Sequence, residues 1–180
     1  MADRSEAEQL LETWIKNDAL RHHCRMVARA MEAYAYENGK PEDEVNKWWQ
    51  AGLLHDLDWE AYPDEHPNKA INEILPEHNV DEEVIQAVKT HAPDRTGAEP
   101  QRELERYLFA CDEISGFMHA VSLMRPNGFE DMKPKSVKKK LKDKHFAANV
   151  PRDDVYKGAE LIQKPLNDHI AFLIEVFKKL

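Results

Sequence analysis

Apolar residues recur at three- and four-residue steps almost from one end of this chain to the other. Nowhere do they alternate with polar residues as a half-buried strand requires. Spacing of that kind lays one apolar stripe along each helix, so the core must form by packing helix on helix. Ser5 and Glu8 have the spacing of a capping box that opens a first helix running to about Lys16. Asn17 or Asp18 caps a second, which runs to about Asn38 and stops at Gly39. Pro41 stands where a third begins, and that helix leads through Trp48, Trp49, Leu53 and Leu54 into His55-Asp56. After a turn at Tyr62-Pro63, a helix is predicted from about Pro67 to Leu75, and another opens at Asp81 and ends near His91. The loop APDRTGAEP separates it from a helix over about Gln101 to Met118. A break at Arg125-Pro126-Asn127-Gly128 precedes a lysine-rich helix, and Pro151 and Pro165 open the last two. The expected fold is an all-α bundle of about eight to ten helices.

With 180 residues, 42% of them hydrophobic, the chain can bury a full core as one domain over residues 1–180. No repeat or low-complexity linker divides it. The opening MADRSEAEQL lacks a basic region followed by an apolar run, and no uncharged apolar stretch approaches roughly eighteen residues. Neither a signal peptide nor a membrane anchor is expected. Cys24 and Cys111 lie far apart and outside any CxxC pair, which points to a reducing cytoplasm rather than a disulfide framework. The net charge of −9 disfavours nonspecific binding to nucleic acid or to an anionic membrane. One segment departs from this. Lys133 to Lys144 carries seven lysines and one aspartate, so it reads either as a solvated helix face or as a patch for an anionic substrate or partner.

Several polar residues sit where the helical pattern calls for apolar ones. His23 shares a stripe with Leu20, Val27, Ala30 and Tyr34, whereas His22 is turned about 100° away. His91 continues the face defined by Val84, Ile85 and Val88, and Asp112 lies four residues past Leu108. Burying an ionised carboxylate without a partner costs several kcal/mol, so such an aspartate is normally paired or metal-bound. For Asp112 the alternatives are a salt bridge, to Arg106 or Arg125 for example, or a helix cap. In Ala51-Gly52-Leu53-Leu54-His55-Asp56 an apolar helix end delivers an imidazole and a carboxylate side by side. Neighbours on a helix diverge, so either one ion sits at the helix end or the aspartate bridges two ions while the histidine binds one. Imidazole nitrogen with carboxylate oxygen suits Zn, Mn, Fe, Co or Ni. Gly52, one turn before Asp56, would let another helix approach closely.

The order of His23 (in HHCRMVA), His55-Asp56 (in AGLLHDLD) and a distant Asp112 (in FACDEISGF) resembles the HD-domain superfamily of metal-dependent phosphohydrolases. The resemblance covers roughly residues 17 to 120. The remainder, about 121 to 180, with MKPKSVKKKLKDKHFAA, looks like the tail of a bacterial subgroup of small HD hydrolases. It implies His23, His55, Asp56 and Asp112 around one ion, and Asp56, His66 and His91 around a second. By the same resemblance the paired ions activate a hydroxide that attacks phosphorus, on a nucleotide or another small phosphorylated metabolite. Asp56 is then the central catalytic carboxylate. Asp58 or Glu60 is expected to pass a proton to the leaving group, and Lys69 to bind a phosphate oxygen. Trp48, Trp49 and Trp59 are expected in the core or in a pocket wall, and His119 is placed to line the pocket. One rival is a di-iron oxygenase resembling the inositol-type enzymes, which carry a lysine three residues after the HD pair where this chain has Trp59. Another is a non-catalytic module that binds through Lys133–Lys144.

Overall fold

In a computed structural model describing residues 3–180, side chains that accept a backbone N–H, or prolines, mark most helix starts. Met1 and Ala2, the first residues of the stretch inspected for a leader, lie outside the described residues. The first half of the chain forms α1 (Arg4–Trp14), α2 (Asp18–Glu37), α3 (Glu42–Leu54) and α4 (Leu75–Glu77), the last continuing a π-helical turn over Ala70–Ile74. There follow α5 (Glu82–Thr90), α6 (Pro93–Thr96), α7 (Glu103–Leu123), α8 (Pro134–Leu141), α9 (Arg152–Leu161) and α10 (Leu166–Phe177). Among the described residues there is no strand, and no helix is long and apolar enough to cross a membrane.

Asn17 and Asp81 cap α2 and α5, accepting from Leu20 N at 3.0 Å and Glu83 N at 2.9 Å. The cap of α1 differs from the expected Ser5–Glu8 pair. Asp3 accepts from Glu6 N and Glu6 from Asp3 N, both at 2.8 Å. Ser5 already lies inside the helix, where its hydroxyl has no orphan N–H to meet, and Glu8 instead holds Arg25 at 2.8 Å. Other boundaries move for similar local reasons. α1 stops at Trp14 rather than Lys16, and the helix expected over Pro67–Leu75 becomes the π turn with α4. The loop APDRTGAEP contains α6, closed by Gly97 at φ 69°. α7 continues to Leu123 because Val121 and Ser122 still face the core, and no breaker precedes Pro126. α8 covers eight residues only, so Lys142 and Lys144 lie beyond its end.

α2 runs through the middle of the bundle with α3, α7 and α10 packed around it. Met26, Val27, Met31 and Tyr34 of α2 are fully enclosed, as are Leu53 and Leu54 of α3 and Leu108 and Phe117 of α7. Trp48 and Trp49 belong to this core, as the sequence suggests. Two close backbone crossings set the helix spacing. A Cβ added at Gly52 would stand 2.7 Å from Ala28 Cα, and one at Gly158 would stand 2.7 Å from Ala110 Cα. The first draws α3 against α2, and the second draws α9 against α7.

The connection between α8 and α9 is organised by one guanidinium. Arg152 donates to the carbonyls of Ala147 at 2.5 Å, Val150 at 2.7 Å and Asp143 at 3.2 Å, and also to that of Phe146. Its charged end lies 4.8 Å over the Phe117 ring. On the far side of the core, His169 is completely enclosed; its Nε2–H donates to Ala110 O at 2.9 Å and its Nδ1 accepts from the Tyr34 hydroxyl at 2.6 Å.

Two predictions come from this packing. Gly52→Ala forces the α2 and α3 backbones apart, so it should destabilise the fold by about 1–3 kcal/mol and lower the melting temperature by several degrees; an unchanged melting temperature would contradict the crossing. Burial, opposed by the Ala110 carbonyl, brings the His169 imidazole down to about 4. The unfolded chain therefore takes up this proton first, near the ordinary histidine value of about 6.5. The stability this residue contributes is complete above that value and is lost as pH falls toward 4. His169→Gln should show a flatter stability profile across that window in denaturant titrations than the wild type does.

Candidate metal centre

Four helices bring five polar side chains to a common point. α2 carries His23 in its first half, α3 ends at His55-Asp56, α5 ends at His91, and α7 carries Asp112 at mid-length. His66 joins them from the turns between α3 and the π-helical segment. Nitrogen and oxygen atoms of His23, His55 and Asp112 lie within 4.8 Å of one another, and so do those of Asp56, His66 and His91. Asp56 stands between the two groups. Its Oδ2 is 3.4 Å from His55 Nε2 and 3.8 Å from His23 Nε2, while its Oδ1 is 3.5 Å from His66 Nε2 and 3.8 Å from His91 Nε2. Of the two arrangements open for the His55-Asp56 pair, this geometry fits the bridging carboxylate. Asp112 is not in a salt bridge to Arg106 or Arg125: its Oδ1 lies 3.0 Å from His23 Nε2 and 3.3 Å from His55 Nε2, and Arg125 pairs with Asp131.

The hydrogen bonds behind these rings decide which nitrogen faces the centre. His55 Nδ1–H donates to Gly52 O at 2.8 Å and His91 Nδ1–H to Val88 O at 2.5 Å, each one turn back in its own helix. His66 Nδ1–H donates to Asp58 Oδ1 at 2.7 Å. With those protons engaged, the three Nε2 atoms present lone pairs inward. His66 and His91 then oppose lone pair to lone pair at 3.2 Å, and His55 Nε2 stands 3.2 Å from His23 Nε2. Between His66 and His91 no protein donor lies, so the arrangement calls for positive charge at that point. The residues therefore fit divalent cations held by imidazole nitrogen and carboxylate oxygen. Without a metal, positive charge enters as a proton. Burial works against a charged His55, yet Asp56 and Asp112 outweigh it and hold the imidazole well above its ordinary value. Burial likewise opposes ionisation of the two aspartates, but His55 with His91 and His23 keeps Asp56 far below the usual carboxylate range, and His55 with His23 does the same for Asp112.

Asp58 is completely enclosed and faces no solvent. One oxygen holds His66 Nδ1 and the other accepts from Ala70 N at 2.8 Å, an N–H of the first helical turn without a backbone acceptor. The residue expected as a proton donor therefore stands behind His66, not in the cleft. Glu60 is corrected too: its Oε2 accepts from Lys16 N at 2.8 Å and Asn17 N at 2.9 Å, tying the α1–α2 corner, and those N–H groups lower its carboxyl. Lys69 turns to Glu73 at 2.5 Å and lies 5.2 Å from the Tyr62 ring centre, away from the cleft. His119 packs against His22, ring centres 4.5 Å apart, and does not line the cleft.

The ligand side chains open onto a cleft of about 280 Å³. Trp59 forms part of its wall, edge-on to His66 at 4.9 Å, with the Arg95 guanidinium 4.9 Å over its ring. Arg95 is fixed by donating to Pro63 O at 2.8 Å. Periodicity did not single out Arg95, because it sits in the short α6 within an apparent loop. Glu113 and Asp154 also line the cleft. Burial, with Asp112, Asp56 and Asp154 nearby, pushes the Glu113 carboxyl up to about 8. Asp154 reaches the site from α9, with Pro151 beside it, so the tail helps to build the cleft.

No curated protein and no solved structure matches this chain. The family model described as "HD domain" matches residues 20–116, a span that includes all six candidate ligands and ends just past Asp112. With more than half of its length matched, the chain belongs to the HD-domain family, a superfamily of metal-dependent hydrolases.

Proposed function

We propose that this protein hydrolyses a phosphate ester of a nucleotide or another small phosphorylated metabolite, using two divalent ions held by His23, His55, Asp56 and Asp112 and by Asp56, His66 and His91. The observation that carries the reading is the bridging position of Asp56, one oxygen toward each triad, with the imidazole lone pairs of His66 and His91 opposed beside it. Bound divalent ions of the Mn, Fe, Co, Ni or Zn type supply Lewis acidity and lower the pKa of water. Two such ions carry twice the charge that Asp56 and Asp112 return, so the centre favours a phosphate dianion.

The chain's own residues do the rest. Asp58 fixes the ring of His66 and thereby the aim of its Nε2. Arg95, stacked on Trp59 at the cleft wall, takes the role of phosphate-oxygen partner that Lys69 is too engaged to fill. Trp59 and Pro151 restrict water in the cleft, and Glu113 and Asp154 are the carboxyl groups there that do not belong to either triad. We read residues 1–180 as one HD-type domain, since α9 packs on α7 at Gly158 and delivers Asp154 to the cleft. Both cysteines are buried and unpaired, which fits the cytoplasm. Neither triad contains a lysine, and the position carrying one in inositol-type oxygenases is Trp59, so the hydrolase is favoured over the di-iron oxygenase.

Metal analysis of purified protein, paired with a phosphatase screen over nucleotides and sugar phosphates, tests this reading. Asp56→Ala should abolish metal content and turnover while helical content by circular dichroism is retained; surviving activity would refute the mechanism. Asp58→Asn should keep the fold but weaken metal binding by about 10–100-fold, read by titration with Mn²⁺. Unaltered affinity would show that Asp58 does not orient His66.

A further inference from the structure

Beside the metal cleft, and sharing Pro151 with it as a wall, lies a second pocket of about 500 Å³ at the junction of α8 and α9. The two differ in charge. The charged side chains of the cleft are mostly acidic, with Asp94 and Asp154 added to the ligand aspartates and Arg95 as the cation. The second pocket is lined by Lys142, Lys144 and Arg152 against a single acid, Asp153. Among the described residues neither Lys142 nor Lys144 has an ion-pair partner, whereas Lys140 has Asp143 and Lys157 has Glu99. The backbone just after Lys142 is also held beside the cleft. Arg152 clamps the carbonyls of Asp143, Phe146, Ala147 and Val150, so the segment between them is shaped by the residue that follows Pro151. Tyr156, 43% exposed, adds an aromatic face.

We propose that this pocket is a second substrate subsite, holding on Lys142 and Lys144 a phosphate group remote from the one that reacts at the metal centre. The substrate class is then a small metabolite with two separated phosphate groups, its remote phosphate passing over Pro151. This rests on the phosphohydrolase reading for its second phosphate, but anion binding by the lysines does not depend on turnover. In metal-free protein the net acidic cleft disfavours phosphate, whereas Lys142 and Lys144 attract it, and the control variant below removes Lys139 from the neighbouring pocket that also carries Arg125 and Lys140.

The first test is therefore calorimetric titration of inorganic pyrophosphate into the whole chain in EDTA. Wild type and the control Lys135→Ala/Lys139→Ala, which removes equal charge from the same segment outside the pocket, should bind alike. Lys142→Ala/Lys144→Ala should bind about tenfold or more weakly, as expected for lost charge-assisted hydrogen bonds. Equal weakening in both double variants, or no binding by the wild type, would overturn the subsite whatever the enzyme does. The second test uses Mn²⁺-loaded protein hydrolysing 4-nitrophenyl phosphate, with fructose 1,6-bisphosphate and fructose 6-phosphate as inhibitors. The wild type should be competitively inhibited more strongly by the bisphosphate, and Lys142→Ala/Lys144→Ala should lose that preference while its KM for 4-nitrophenyl phosphate stays the same. A non-competitive effect of the bisphosphate would mark an effector site and sink the substrate assignment. Absence of phosphatase activity would count against the proposed function and leave the pyrophosphate result to decide the pocket.

Discussion

The meeting of two backbones at Gly52 and Ala28 governs the geometry of the centre. Gly52 is one turn before Asp56, and Ala28 is little more than one turn beyond His23. Any side chain at the crossing would push α3 away from α2, and with it the imidazole of His55 from that of His23. The two Nε2 atoms stand 3.2 Å apart because no Cβ intervenes. Since Gly52 O also receives the Nδ1–H of His55, the same residue sets both the approach of the helix and the orientation of the ring. A glycine in a helix interior costs about 1 kcal/mol against alanine, and here that cost is offset by the closeness it permits.

Such closeness matters because the site is electrostatically incomplete on its own. Asp56 and Asp112 are largely removed from water, and the histidines around them turn nitrogen lone pairs toward one another. A protein interior tolerates that arrangement only when positive charge occupies the gap. In the metal-free chain the proton on His55 is such a charge, and a divalent ion is a stronger one. Metal binding and proton release are for that reason two sides of one equilibrium, and the same groups that hold the ligands together when empty must give up a proton when filled.

How far the sequence disclosed this depends on the regularity of the local backbone. On α2, α5 and α7 the apolar stripes are long, so His23, His91 and Asp112 stood out as polar residues on buried faces, and the bundle with its helix order followed from the same periodicity. Between Leu54 and Ala70 the chain is a series of turns, and there side-chain direction has no period to be read from. Asp58 and Glu60 consequently looked like equivalent acids, although one is enclosed behind His66 and the other caps the α1–α2 corner. Lys69 had the right charge and the wrong neighbour, Glu73, one turn along. Arg95 and Asp154 gave no signal either. An arginine in a short loop and an acid in the first turn of a helix are both commonplace on surfaces, and only the folded chain shows them at the cleft.

The layout of charge connects these features. The chain is acidic overall, and its positive segment is confined to residues 133–144. Had those lysines formed only a solvated helix face, the end of α8 would have left Lys142 and Lys144 without any relation to the metal centre. Instead, Arg152 folds the intervening carbonyls around itself, and α9 is drawn onto α7 at Gly158, so that Pro151 stands between the acidic cleft and the basic pocket. The two pockets place opposite charge on either side of one proline. The tail beyond residue 120 thus lines the cleft through Pro151 and Asp154 as well as covering the core.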